Sequence, residues 1–290
     1  MEHWEKGNHS WSKDSSRFIL TPSDTTKKLF FYIQEIGQFK ANKPYFTERE
    51  HLKSFLIKFT LSGEGSLRYA NDVYQLKAGD VFFIDCNNHQ YYQTESDEPW
   101  EMDWVHFYGS TSANFYIEFI RTGTHVFHTS GPPEKNRIHL IMEHLQRLQQ
   151  NKNSKTDFET SILLHELLNE LIQQKFQLDF DEAEIPPYIA GLKVFLDANY
   201  KQKITLENLE KIYHINRYQL TKEFSRYIGH SPIDYVITKK ISLAKDMLHY
   251  SGLTVQEISL ATGIDNTAYF SRLFKKKTGI SPAQYRKTMR

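Results

Sequence analysis

The sequence predicts a multidomain α+β protein with a β-rich N-terminal part and an all-helical C-terminal part. Short runs of alternating apolar and polar residues fill residues 51–110, and a helical period replaces them from about Glu134 onward. In addition, the phrase G-x-S-P-x-x-Y occurs twice near the C-terminus, fifty residues apart. A chain of 290 residues is long enough for two domains that each have a core.

The composition is that of a globular protein, with 24% charged and 39% hydrophobic residues. Apolar stretches are short and interrupted by charges, and the first residues lack a signal-peptide pattern, so we expect a cytoplasmic protein. Cys86 is the single cysteine, so the chain can form neither an intrachain disulfide nor a cysteine zinc cluster. We expect no cofactor and no bound metal.

The charge is divided unequally along the chain. From Pro186 to Arg290 there are 17 Lys and Arg against 8 Asp and Glu, a formal charge of +9, whereas residues 1–185 carry 19 against 27, or −8. A compact basic segment is the electrostatic feature expected of a protein that binds the phosphate backbone of nucleic acid.

The strand pattern is clearest in residues 55–93, FLIKFTLSGEGSLRYANDVYQLKAGDVFFIDCNNHQYYQ. Runs of four to eight residues alternate with turn sequences such as AND, AGD and CNN, which is typical of antiparallel strands in a sandwich or barrel. We therefore predict an antiparallel β-barrel with helices over residues 1–130.

Residues 131–178 contain two helical segments, EKNRIHLIMEHLQRLQQ and TDFETSILLHELLNELIQQKF. The second has an apolar stripe that is wider than a single antiparallel neighbour requires. Its members include Ile162, Leu163, Leu167, Leu168 and Leu171. Packing on the β domain and pairing with a second copy both remain open, and we assign the segment to dimerisation. The acidic residues 179–187, which end in two prolines, are the predicted linker to a domain over residues 188–290.

The repeated phrase, GHSPIDY and GISPAQY, marks helix ends and helix starts. Glycine just past a helix permits the left-handed conformation that closes it, and Ser followed by Pro suits the N-cap and first position of the next helix. These residues are Gly229, Ser231 and Pro232 in the first copy and Gly279, Ser281 and Pro282 in the second. Each copy follows two short helices, so we predict two helix-turn-helix units. The helix from Ser231 to Ser251 between them is roughly 30 Å long at ~1.5 Å per residue, close to the ~34 Å between successive major-groove segments.

The second helix of each unit presents polar and basic residues away from its core, which suits double-stranded DNA. The predicted contacts are Arg217, Tyr218, Thr221 and Lys222 in the first unit and Thr267, Ala268, Ser271, Arg272 and Lys275 in the second. A helical bundle whose outer face is basic without a nucleic-acid partner is the alternative.

The text ITLENLEKIYHINRYQLTKEFSRYIGHSPIDYVITKKISLAKDMLHYSGLTVQEISLATGIDNTAYFSRLFKKKTGISPAQYR resembles the AraC/XylS family of transcription regulators over residues 188–287. The resemblance implies two helix-turn-helix subdomains joined by a long helix, with base contacts from the predicted residues other than Arg217 and Lys275. Arg272 is the best candidate for guanine, since a guanidinium can pair with both O6 and N7. Glu210 departs from the family, which usually has alanine where the two helices cross, and Ile264 replaces the usual aromatic.

The N-terminal half looks like the cupin-type sensing domain of sugar-responsive members of this family, through LSGEGSLRY, LKAGDVFFIDCNNHQYY and PWEMDWVHFYG. Enzymatic cupins bind metal through a His-x-His set, and FLIKFTLSGEG has no histidine, which disfavours a metalloenzyme. Strand alternation puts Trp100, Met102, Trp104 and His106 on one face. We expect this face, with Arg49, His89 and Tyr91, to bind a sugar; simple packing of the barrel interior is the alternative.

Together these features predict a DNA-binding transcription regulator and not an enzyme. We expect an activator of carbohydrate uptake or catabolism genes that is controlled by a small sugar, acts as a homodimer and can contact RNA polymerase. The alternatives are a regulator whose β domain only assembles the dimer and, less favoured, a cupin-type metalloenzyme.

Overall fold

The computed structural model of the chain describes residues 2–178 and 184–288. The chain divides into two compact units, residues 1–179 and residues 180–290. The strands are β1 (Trp4–Asn8), β2 (Ser16–Ile19), β3 (Tyr32–Ala41), β4 (Phe46–Glu50), β5 (Phe55–Ser62), β6 (Gly65–Tyr69), β7 (Asp72–Leu76), β8 (Asp80–Asp85), β9 (Gln90–Thr94), β10 (Trp100–Tyr108) and β11 (Val126–His128). The helices of the first unit are α1 (Asp24–Leu29), α2 (Ser112–Phe119), α3 (Arg137–Gln150) and α4 (Thr156–Phe176). Those of the second are α5 (Pro187–Asn199), α6 (Leu206–Tyr213), α7 (Arg217–Ile228), α8 (Pro232–Tyr250), α9 (Val255–Ala261), α10 (Thr267–Thr278) and α11 (Pro282–Thr288).

The first unit is built on two antiparallel sheets. One has five strands in the order β1-β4-β9-β6-β7, and the other has six in the order β11-β8-β5-β10-β3-β2. Strands β1 to β4 precede residue 51, where the predicted strand pattern begins. The predicted α+β class, with a sheet-rich N-terminal unit and a helical C-terminal unit, is confirmed.

Strand β10 separates two apolar cores because its side chains alternate between two faces. Trp100, Met102 and Trp104 lie between the two sheets with residues of both. Val105 and Phe107 lie on the opposite face, under helices α2, α3 and α4. The unit is therefore layered as sheet, sheet and helices.

Helix α4 covers the outer face of the six-stranded sheet. Leu167, Leu168 and Leu171 are buried in the core under the helices, Leu163 is half-buried against it, and only Ile162 is largely exposed, at 66%. The assignment of this stripe to dimerisation is therefore wrong for the buried leucines. The stripe is wide because α4 packs at once on β3, α2 and α3.

The second unit consists of two helical clusters joined by α8. Of the predicted linker, residues 179–183 lie outside the described residues, and α5 begins at Pro187. The first cluster holds Leu192, Leu196, Leu209, Leu220, Phe224 and Val236, and the second holds Ala244, Leu248, Ile258, Phe270 and Phe274. Helix α8 has 19 residues, about 28 Å at ~1.5 Å per residue, and contributes to both clusters, so it joins them as a continuous element.

Lys240, in the middle of α8, connects the two clusters through backbone carbonyls. Its buried ammonium donates to Gln202 O at 3.2 Å, in the loop after α5, and to Gly263 O at 2.7 Å, in the turn after α9. Gly263 has a φ of +71°, and a Cβ there would lie 1.6 Å from Lys201 O. Only glycine permits this approach, so the two clusters meet backbone to backbone.

A buried ion pair joins the sheet to α3. His139 Nδ1 on α3 lies 2.6 Å from Asp103 Oδ2 on β10, and the Asp103 side chain is almost fully buried. The hydrogen bond to Asp103 raises the pKa of His139 above 6.5, and burial raises the pKa of Asp103. Both shifts mean that the folded state holds its protons more tightly than the unfolded chain does.

We predict that the stabilisation from His139 is complete below pH 6.5 and is lost as the pH rises through the raised pKa of His139. His139→Gln should lower the free energy of unfolding by about 3 kcal/mol at low pH, as removal of one partner of a buried pair does, and by less at high pH. Urea unfolding of the full chain at a series of pH values measures this, with His165→Gln, at an exposed site on α4, as control. A cost that grows with pH would contradict the prediction.

Candidate nucleic-acid interface and barrel cavity

Helices α7 and α10 begin and end through the same local chemistry, fifty residues apart. Asn216 Oδ1 accepts from the Tyr218 amide and Asn266 Oδ1 from the Tyr269 amide, both at 2.8 Å. At the other ends, Gly229 and Gly279 have φ of +83° and +85°, the left-handed conformation expected of a C-terminal glycine. The first and last residues of α7 and of α10, the second helices of the two helix-turn-helix units, are therefore determined by local sequence.

The outward faces of α7 and α10 correspond position by position. Tyr218, Lys222 and Arg226 are exposed on α7, and Ala268, Arg272 and Lys276 are exposed at the equivalent positions of α10; Lys275 is exposed as well. Four-residue spacing places each trio along one side of its helix. Arg226 and Lys276 are additional basic candidates, and their signal in the sequence is that each follows a predicted contact by four residues.

Three predicted contacts are less exposed than the sequence suggests. Thr221, Thr267 and Ser271 are half-buried, because they lie beside the residues that face the core. The Thr221 hydroxyl is buried and has no hydrogen-bond partner among the described residues. Arg217 is exposed, and its guanidinium lies 3.1 Å from Glu207 Oε1 on α6.

The two units differ at their helix crossing. Glu210 on α6 is half-buried, whereas Ser259 at the matching position of α9 is fully buried and its hydroxyl donates to Ile264 O. The turns also differ, since His214 takes the left-handed conformation, with φ of +53°, that Gly263 takes in the second unit. The first turn is therefore the more strained of the two.

A small cavity of about 30 Å³, the barrel cavity, lies between the two sheets of the first unit. Arg49, Lys58, Tyr92, Trp104 and His106 line its interior, and Glu5, His9 and Trp11 from the N-terminal segment line it as well. Lys58, Tyr92 and the N-terminal residues are absent from the predicted ligand site. A charged residue at an interior position of a strand, between Leu56 and Thr60, is the signal that points to Lys58.

Arg49 organises the polar side of the cavity. Its guanidinium donates to His106 Nε2 and to the Tyr92 hydroxyl, both at 3.0 Å. Since arginine only donates, His106 Nε2 accepts, and the ring proton is on Nδ1, 3.1 Å from Ser54 Oγ. Burial and the neighbouring Arg49 charge lower the pKa of His106 well below 6.5, which keeps the ring neutral.

Lys58 sits among aromatic rings. Its ammonium lies 3.9 Å from the ring centroid of Tyr92, 5.1 Å from that of Trp100 and 5.7 Å from that of Tyr45. The side chain is 2% exposed. These contacts are cation–π interactions, which stabilise a cation partly but accept no hydrogen bond.

The structure brings only part of the predicted ligand site together. Arg49, Trp104 and His106 line the cavity, whereas Trp100 and Met102 are fully buried in the core beside it. His89 and Tyr91 are corrections, since His89 is exposed and bonds to Glu48 at 3.0 Å and Tyr91 stacks on Phe46 outside the sandwich. On β9 the inward side chain is that of Tyr92, the residue next to the predicted Tyr91.

Residues 2–178 and 184–288 contain no group of three or more His, Cys, Asp or Glu arranged to hold a metal ion. No described helix is both long enough and apolar enough to cross a membrane. Cys86 is buried, and burial raises the pKa of its thiol to about 12, so it stays protonated.

Comparison with known proteins gives two family matches. A family described as "AraC-like ligand binding domain" matches residues 34–168, and one described as "Helix-turn-helix domain" matches residues 209–288. Similar curated proteins include the "Lactose operon transcription activator" of Staphylococcus xylosus, 27% identical over 80% of this chain and 83% of the relative. The "MmsAB operon regulatory protein" of Pseudomonas aeruginosa is 23% identical over 89% and 83%. The "Raffinose operon transcriptional regulatory protein RafR" of Pediococcus pentosaceus is 26% identical over 81% and 86%.

We predict that Thr221→Val stabilises the chain by about 1 kcal/mol, because it removes a buried hydroxyl without a partner and keeps the side-chain shape. Urea unfolding measures the change, and Thr238→Val at an exposed site on α8 is the matched control. Loss of stability would mean that the Thr221 hydroxyl has a partner. Loss of DNA affinity in the same variant would make the hydroxyl a DNA contact.

Proposed function

The chain belongs to the AraC family of DNA-binding transcription regulators, and we propose that it controls genes for carbohydrate uptake or catabolism. The lactose and raffinose operon regulators, 27% and 26% identical over about four fifths of the chain, support this target. We propose activation as the direction of control, with contact to RNA polymerase, and the cytoplasm as the site of action.

The pair of matching recognition helices is the observation that supports specific DNA binding by both units. Arg272 on α10 and Lys222 on α7 lie at equivalent exposed positions. The length of α8, about 28 Å at ~1.5 Å per residue, is close to the distance between successive major-groove segments, ~34 Å. One chain would thus read two successive turns from one side of the duplex.

A small effector in the barrel cavity is the proposed signal. Such an effector changes DNA binding only if it binds the DNA-competent arrangement of the chain more tightly than the incompetent one. Operator affinity measured with and without each member of a sugar panel tests this coupling. A panel member that binds without changing operator affinity would contradict it.

Arg272→Ala should weaken binding to the specific operator by about 1–3 kcal/mol and relax the preference at one base position, because a bidentate arginine reads one base. Lys275→Ala should weaken binding to operator and to random DNA similarly, as loss of a phosphate contact does. Fluorescence anisotropy with both DNAs measures these effects.

Lys193→Ala on α5 is the control for charge alone, since Lys193 is paired with Asp197 on its own helix at 3.3 Å. Equal losses from Arg272→Ala on operator and on random DNA would overturn the assigned roles.

We propose that two chains associate through the outer face of α4. Phe158 and Ile162 lie one helical turn apart and are 58% and 66% exposed, and Phe158 contacts Phe30 at a ring separation of 4.8 Å. Ile162 is thus the one residue of the apolar stripe assigned to dimerisation from the sequence that faces outward.

Ile162→Asp should weaken self-association about tenfold or more, because it places a carboxylate in an apolar contact. Sedimentation equilibrium measures the dissociation constant. Leu140→Asp, on the exposed side of α3 and 47% exposed, is the matched control. An unchanged constant for Ile162→Asp would remove α4 from the interface.

A further inference from the structure

We propose that the effector carries an anionic group, a carboxylate or a phosphate, and that the barrel cavity binds this group between Arg49 and Lys58. The inference rests on the proposed control by a small effector and narrows its chemical class. The expected effector is then an acidic or phosphorylated sugar in place of a neutral one.

The charges that line the cavity are only partly compensated, since Glu5 faces Arg49 and Glu35 pairs with Arg17, whereas Lys58 has no carboxylate partner among the residues that the structure describes. Arg49 is 9% and Lys58 is 2% exposed, and both cations contact Tyr92. The carboxylate nearest to Arg49, that of Glu5, lies 3.6 Å from Arg49 Nε on a side chain that is one third exposed. No described residue places a carboxylate beside the Lys58 ammonium. A buried ammonium without an anionic partner is costly, and an anion bound between Lys58 and Arg49 would remove that cost.

The titration of Lys58 agrees with this charge distribution. Burial and the neighbouring Arg49 charge lower the pKa of Lys58 well below its ordinary value of 10.5. The local environment thus disfavours a second positive charge, and a bound anion would reverse that effect.

Several hydrogen-bond donors around the cavity have no acceptor within the described parts of the chain. Arg49 Nε and Trp104 Nε1 are buried without a hydrogen-bond partner among the described residues. The contacts that the Lys58 ammonium makes there are with aromatic rings, which accept no ordinary hydrogen bond. All three groups are donors. His106 offers no free acceptor, since Arg49 and Ser54 occupy its two nitrogens. A carboxylate or phosphate only accepts, whereas each hydroxyl of a neutral sugar also donates.

The volume of the cavity fits one anionic group. The cavity of about 30 Å³ holds two or three waters at roughly 10–15 Å³ each, which is the size of one anionic group and less than that of a sugar ring. The remainder of the effector would lie toward Glu5, His9 and Trp11, which also line the cavity.

The register of β5 places Lys58 between aromatic residues of the two neighbouring strands. Lys58 is paired with Trp104 on β10 and with Phe82 on β8, so its neighbours on both strands are aromatic. The Lys58 side chain could serve packing alone, through its stem, or anion binding, through its ammonium. Substitution by methionine separates these two roles, because it keeps an unbranched stem and removes the charge.

The test is isothermal titration of the full chain at constant ionic strength. The probes are D-glucose, D-glucuronate, D-glucose 6-phosphate, acetate and inorganic phosphate. We expect binding of the carboxylates or of the phosphates, whichever group the site accepts, and weaker or no binding of glucose. Lys58→Met should weaken binding of the anionic probe about tenfold or more, as loss of a charged hydrogen bond does. Lys53→Met, at an exposed site just before β5, should leave it unchanged.

The second variant is Trp104→Phe, which removes one hydrogen-bond donor and keeps Arg49 and Lys58. It should weaken binding of the anionic probe several-fold. The inference is overturned if glucose binds as tightly as its acid or phosphate, if no anionic probe binds at millimolar concentration, or if folded Lys58→Met keeps the wild-type affinity. Anion binding that leaves operator affinity unchanged supports this inference and contradicts only the proposed control of DNA binding.

Discussion

The DNA-binding unit depends on one buried ammonium group. Lys240 donates to the carbonyls of Gln202 and Gly263, which belong to opposite halves of the unit, and it does so from the middle of the helix that joins them. Gly263 brings its backbone against that of Lys201, so the two halves also touch directly. Two helix-turn-helix units joined only by a helix could bend or twist relative to each other. With this additional contact, the two clusters that carry α7 and α10 are braced against each other.

Strand β10 has a comparable role in the first unit. Trp104 and His106 face the cavity, Asp103 faces α3 and pairs with His139, and Val105 packs under the helices. Occupancy of the cavity and packing of α3 therefore act on the same strand. The polar groups of the cavity are arranged around Arg49, whose bonds to His106 and Tyr92 leave its Nε without a hydrogen-bond partner among the described residues, with the Glu5 carboxylate 3.6 Å away.

Features that obey local rules could be predicted from the sequence. The caps Asn216, Ser231 and Asn266 and the stops Gly229 and Gly279 lie where the sequence places them, because capping depends on a few adjacent residues. Features that depend on tertiary packing could not. The leucines of α4 are apolar whether a sheet or a second chain covers them. On β9 the tyrosine that lines the cavity is Tyr92 and not its neighbour Tyr91, a choice that depends on which face of the strand the other sheet covers. Lys58 lies outside the predicted site because lysine is seldom buried.

The most direct test of the account is the distance between α7 and α10, measured by pulsed electron paramagnetic resonance with spin labels at Arg226→Cys and Lys276→Cys; Cys86 is buried and should not react. We expect one narrow distance distribution that is the same with and without operator DNA and that broadens in Lys240→Met. A broad distribution in the free protein that narrows only on DNA would contradict a preformed reading surface.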